Sequence, residues 1–170
     1  MFDLILIAGA PGSGKTTIAR ILEKKLGSVV IEFSNLRQPH LKPDWSDESE
    51  EEEAAAFEEL VAVLREHVER GDENVIVTDL KDERVRQFPD LFADCRVLIA
   101  TLVLRDDEEL RRRVALPERD SGFRDEEAAI AWNRAILARG KLKGEKKIDN
   151  TARKPDKAVK RILALVGVKG

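Results

Sequence analysis

The chain has 170 residues, 42% of them apolar, which suits one core of domain size over residues 1–170. Its 30 basic and 33 acidic side chains leave a net charge of −3, which excludes the global basic field that draws proteins nonspecifically onto nucleic acid. One cysteine, Cys95, excludes an internal disulfide and a cysteine-built zinc site, and points to a reducing compartment, the cytosol. No apolar run reaches membrane-spanning length, and the N-terminal run is too short for a signal peptide and carries Asp3 where a basic flank would stand.

Residues 2–8, with Leu4, Ile5, Leu6 and Ile7 in succession, predict a buried parallel strand. Next comes Gly9-Ala10-Pro11-Gly12-Ser13-Gly14-Lys15-Thr16, which fits the template G-x-x-x-x-G-K-[ST]; Ile18, Ile21 and Leu22 then recur at helical spacing until Gly27. Such a turn could merely join a strand to a helix, but the setting predicts a phosphate cradle. Glycines allow successive N–H groups to point inward, and the helix N-terminus adds its partial positive charge. Lys15 would reach the β- and γ-phosphates, Thr16 would offer a hydroxyl to magnesium, and Thr17 completes the helix start.

Residues 28–33 predict a second strand, with Glu32 an acid among apolar neighbours. It either faces the ligand cleft, with a raised pKa if buried, or pairs with a basic side chain. Residues 34–46 read as a proline-punctuated loop on the acceptor side, with Ser34, Asn35, Arg37 and His40 as candidate substrate contacts. Trp45 suits either base stacking or a staple onto the next helix. The run 47–53, six acids in seven residues, predicts a solvated helix start, and Phe57, Leu60, Val61, Leu64 and Val68 mark that helix's apolar stripe.

Residues 74–78 predict a strand ending at Asp79, the form in which an acid holds magnesium, although a turn acid after a strand would look the same. A fourth strand is expected over 96–104, followed by a charged helix over 106–114. The polar connection 115–124 reads as a lid, with Arg113 and Arg119 the arginines chosen to neutralise a moving phosphoryl group. Trp132 is read as core on the next helix. A weak strand at 146–148 leads into Ile148-Asp149-Asn150-Thr151, and Val159, Ile162, Leu163 and Val166 stripe a last helix. The region 139–161, ten basic residues against three acidic, predicts mainly solvated helix faces.

In order and spacing, these elements resemble the P-loop kinases of the nucleotide kinase and polynucleotide 5′-hydroxyl kinase group, within the AAA-type small kinase-like ATPases of the P-loop NTPase superfamily. The resemblance implies an α/β fold: a five-stranded doubly wound parallel sheet flanked by helices, with a short lid. It also implies ATP and magnesium as cofactors and places Asp149, Asn150 and Thr151 near the adenine base. Polynucleotide-kinase-like members carry an acid shortly after the second strand, followed by an arginine. Here Arg37 matches, but Ser34 and Asn35 stand where the acid would be, leaving Glu32 and Asp79 as candidate bases.

The expectation is therefore an ATP-dependent phosphotransferase acting on a small molecule, a nucleotide or a nucleic acid end, with no membrane and no obligate protein partner. The competing reading is a nucleotide-binding switch. Lys146-Lys147-Ile148-Asp149 lacks the Asn of guanine-reading loops, which favours ATP over GTP.

Overall fold

The computed structural model describes residues 1–37, 50–117, 122–152 and 154–168. Five strands, β1 (Leu4–Gly9), β2 (Val30–Glu32), β3 (Val75–Thr78), β4 (Val97–Val103) and β5 (Glu145–Asp149), form one parallel sheet in the order β2-β3-β1-β4-β5. Between and after them run α1 (Lys15–Leu26), α2 (Phe33–Arg37), α3 (Glu50–Glu69), α4 (Asp82–Leu91), α5 (Asp107–Ala115), α6 (Glu126–Ala138) and α7 (Asp156–Val166).

A central parallel strand must be apolar on both faces. In β1, Leu4, Leu6 and Ala8 enter a core shared with Phe33, Phe57, Leu60, Leu64 and Phe88. Ile5 and Ile7 enter the opposite core with Ile18, Leu22, Ile162 and Leu163. A smaller cluster of Leu104, Leu110, Val114, Ala129 and Ile130 joins α5 to α6. The expected doubly wound sheet is thus present. In its register Ile7 lies level with Thr78 and with Ala100, so the segments leaving β1 and β3 emerge side by side.

Three expectations need correction. First, β2 is confined to Val30–Glu32, and Phe33–Arg37 form the short helix α2 where the end of a strand and the start of a loop were expected. Phe33 is buried and Leu36 packs against the same core; that i, i+3 pairing suits a helical turn better than a strand. Second, the acidic run is not wholly solvated: Glu53 is buried, and Arg84 chelates it through Nε at 3.1 and 3.2 Å and through Nη2 at 2.5 Å. Third, the basic region is partly structural.

That third correction centres on Arg139. Its guanidinium donates to Asp82 at 2.9 and 3.1 Å and to both oxygens of Glu145 at 2.8 Å. Glu145 also accepts from Thr101 Oγ1 at 2.5 Å and from the Leu142 N–H at 2.9 Å. Burial opposes ionisation of Glu145, but the bonds from Arg139, Thr101 and Leu142 outweigh it and hold the carboxyl below its ordinary range. Lys147 Nζ donates to the carbonyls of Leu137 and Arg139, and burial lowers its pKa. The start of α4, the edge strand β5 and the end of α6 are joined here. Replacing Arg139 by Met would leave the buried Glu145 carboxylate without its guanidinium, whereas Asp82 keeps Arg86 at 2.9 Å; the expected loss is about 3 kcal/mol. Urea unfolding of Arg139→Met checks this; a loss below about 1 kcal/mol would mean that water replaces the guanidinium.

Candidate active site

The phosphate loop leaves β1 at Gly9 and enters α1 at Lys15. Gly12 and Gly14 have φ of 82° and 97°, a region costly for side-chain-bearing residues. Space is short as well. A Cβ at Gly12 would lie 2.8 Å from Val114 Cγ2, and one at Gly14 would lie 2.8 Å from Asn150 Nδ2. Ala10 is buried and Pro11 half-buried on the way round the turn. The Lys15 ammonium folds over the loop, donating to Gly9 O at 3.0 Å and Ala10 O at 3.1 Å. Thr16 is half-buried on the first turn of α1, and Thr17 is exposed.

The loop fits the triphosphate that its motif implies. Ser13 is fully buried, and its Oγ has no hydrogen-bond partner among the described residues, so a polar group is held in reserve inside the turn. For magnesium, Thr16 and Asp79 offer hard oxygen donors beside the loop. Among the described residues no cluster of three or more Asp, Glu, His or Cys side chains could hold a metal alone.

Asp79 follows β3 directly and has a φ of 72°, uncommon for any residue but glycine. Its Oδ2 accepts from Ser34 Oγ at 3.0 Å. Ser34, which stands where the resemblance calls for an acid, thus sets its hydroxyl on the carboxylate that follows the neighbouring strand. Glu32 is half-buried, in register with Thr78 just before Asp79. Asn35 is exposed, and the Arg37 guanidinium lies 5.6 Å from the centre of the Phe33 ring. His40, Trp45 and most of the expected acceptor loop fall outside the described residues, as does Arg119.

The arginines of α5 are paired. Arg111 reaches across to Glu127 of α6 at 2.7 Å, and Arg112 to Glu109 at 2.8 Å. Arg113 donates from Nε to Glu109 at 2.8 Å and from Nη2 to the carbonyls of Thr151 and Ala152 at 3.1 and 3.0 Å. It therefore lies against the late turn, ahead of the connection read as a lid. In that turn, Asp149 accepts from the Thr151 N–H and hydroxyl and pairs with Arg105 at 3.4 Å. Burial opposes its ionisation, but these partners keep its pKa below the ordinary value.

Two site-side features escaped sequence reasoning. Glu53 stands on the same helical face as Phe57, Leu60 and Leu64, and an acid on an apolar stripe signals a buried partner; that partner, Arg84, also lies 4.5 Å over the Phe57 ring. Hydrogen bonds from Arg84 outweigh burial and lower the Glu53 pKa, with Lys81 and Arg37 adding to the field. Asn133 is buried, accepting from the Leu104 N–H at 3.0 Å and donating to the Leu104 carbonyl at 2.7 Å, so it closes the end of β4 as a strand partner would. Nothing in the local pattern distinguishes that asparagine from a surface one.

Glu109 gives this side of the site an acid limit. Hydrogen bonds from Arg112 and then Arg113, working against burial, pull its pKa from 4.5 to about 2. A depressed carboxylate stabilises the fold above its unfolded pKa and loses that contribution as pH falls through the folded value. The stability difference between the parent and Glu109→Gln should be constant above about pH 5 and shrink toward zero near pH 2. Thermal melts of both proteins across that range check it, and a pH-independent difference would contradict it.

A family model described as an AAA domain, AAA_18, matches residues 5–131. A putative adenylate kinase from Pyrococcus abyssi (strain GE5 / Orsay) is 38% identical over 74 residues, covering 44% of this chain and 38% of that protein. Among solved structures, a sugar kinase from Janibacter sp. HTCC2649 aligns with a TM-score of 0.70 at 18% identity, over 99% of this chain and 96% of that one. Shikimate kinase from Bacteroides thetaiotaomicron aligns at 0.65 and 16% identity, over 97% and 98%. Thymidylate kinase from Candida albicans aligns at 0.62 and 19% identity, over 96% and 90%. At such identities the likeness is one of fold, whereas the family match spans most of the chain: the protein belongs to the AAA_18 family of AAA domains and has the fold of the P-loop kinases.

Proposed function

We propose that the protein is an ATP-dependent phosphotransferase that moves the γ-phosphate of magnesium-bound ATP to a hydroxyl or phosphate of a small molecule, a nucleotide or a nucleic acid end. The observation that carries this reading is the Ser34–Asp79 hydrogen bond of 3.0 Å, which orients a carboxylate at the end of β3, the strand beside β1. A carboxylate there could also serve a nucleotide switch as a magnesium ligand, so acceptor-dependent turnover is what separates the two readings. The kinases among its structural likenesses and its partial adenylate kinase relative support the reaction class.

Loop N–H groups would hold the β-phosphate, and Lys15 would exchange its bonds with Gly9 O and Ala10 O for phosphate oxygens as charge develops. Asp79, steadied by Ser34, would orient the acceptor and take its proton. Thr16 and Asp79 would hold magnesium, which would supply electrostatic stabilisation of the phosphate charge. Arg119 would complement it from the connection between α5 and α6, and Arg113 would brace the base side.

Transfer of labelled γ-phosphate to a panel of nucleosides, nucleoside monophosphates, 5′-hydroxyl oligonucleotides, sugars and aminoglycosides tests the reading. Lys15→Ala should lower turnover at least about a hundredfold. ATP that binds without any acceptor becoming labelled would favour a nucleotide-dependent switch instead. Ser34→Ala should reduce kcat about tenfold with ATP affinity unchanged, because it loosens the carboxylate and leaves the loop intact. Asp79→Asn separates its two duties: a raised magnesium requirement marks a metal ligand, and a lower kcat at unchanged magnesium requirement marks the base.

A further inference from the structure

Asn150 follows β5 immediately, and its backbone N–H extends the sheet by donating to Val103 O at 2.9 Å. Its side chain is buried, with the residue 5% exposed, so the amide is not displayed to solvent or to a base-sized ligand. Instead Nδ2 donates to the Ser13 carbonyl at 2.8 Å, joining positions 137 residues apart. A carbonyl can only accept, which fixes which end of the amide faces it. The fit is close, since the same Nδ2 stands 2.8 Å from where a Cβ on Gly14 would be.

In a trans peptide the C=O and the next N–H point in opposite directions. Drawing the Ser13 carbonyl toward Asn150 therefore turns the Gly14 N–H to the other side of the same peptide plane. We propose that Asn150 is a positioning residue: by holding the Ser13 carbonyl it aims the Gly14 N–H at the bound phosphate, and it recognises no base. The inference rests on the reading of this loop as a triphosphate cradle. It gives Asn150 a different duty from the adenine-side contact that resemblance implied, and it explains why a buried asparagine stands where the turn meets the loop.

The experiment compares magnesium tripolyphosphate, which has phosphates and no base, with ATP and GTP by calorimetric titration. The proteins are the parent, Asn150→Ala and the near-isosteric Asn150→Asp, each with a thermal melt. A misaimed donor to a charged oxygen should weaken tripolyphosphate and ATP alike by about tenfold or more in Asn150→Ala. Asn150→Asp should be weaker still, because a carboxylate cannot donate to Ser13 O and repels phosphate. The ratio of ATP to GTP affinity should not move. Unchanged tripolyphosphate binding in a folded variant, or a changed ATP to GTP ratio, would overturn the proposal, as would both variants being unfolded at the assay temperature, which would make Asn150 a residue of the fold. If the parent binds neither ATP nor tripolyphosphate, the cradle reading itself fails; if it binds both and the variants match it, only the role of Asn150 fails.

Discussion

The structure depends on how closely other backbone and side chains approach the phosphate loop. Val114 from α5 and Asn150 from the late turn each lie 2.8 Å from where a Cβ on the loop would be. The loop therefore serves as more than a ligand cradle: it is the point where β1, α5 and the segment after β5 are brought into register. Its left-handed glycines provide both the inward turn of the amides and the clearance for these neighbours.

Around that point charge is handled by pairing at the ends of elements. Glu53 and Arg84 join α3 to α4 across 31 residues, and Arg139 joins α6 to Asp82 of α4 across 57. Arg113 ties α5 to the turn after β5. Such pairs return little net stability over well-packed apolar residues, but each partner makes the other indispensable and admits one geometry. Two of them meet on α4, whose first residue lies three positions beyond Asp79. The segment carrying the candidate catalytic carboxylate thus leads into a helix that is tied both to α3 and to the end of α6.

The parts of this fold that were legible in the sequence are those set by local pattern. The phosphate loop, the doubly apolar β1, the strand before Asp79 and the stripe of α7 follow from periodicity and glycine placement, and with them the sheet. The end of β2 was misread because Val30 to Phe33 is apolar enough for either state, and only the joint burial of Phe33 and Leu36 decides for a turn of helix. Long-range polar pairs were not legible: Arg139, Glu145 and Lys147 sit in a stretch whose composition reads as solvated, and burial of a charge depends on a partner that periodicity does not reveal. Asn133, and the bond from Asn150 to the Ser13 carbonyl, escaped for a related reason. An amide that satisfies a distant backbone group looks in sequence like any surface amide.

The contact between Gly12 and Val114 sets a rule for how this chain can vary. Shortening Val114 would vacate the volume into which a methyl group at position 12 must go, so on steric grounds alone the two sites would be exchangeable as a couple. The φ of 82° at position 12 still opposes that exchange, because the left-handed backbone penalises a Cβ whether or not a neighbour occupies the space. Two independent barriers thus guard one residue, and relieving either leaves the other in force; position 12 has no single-site suppressor, while Val114 stays open to any smaller residue that the cluster with Leu110 and Ile130 tolerates.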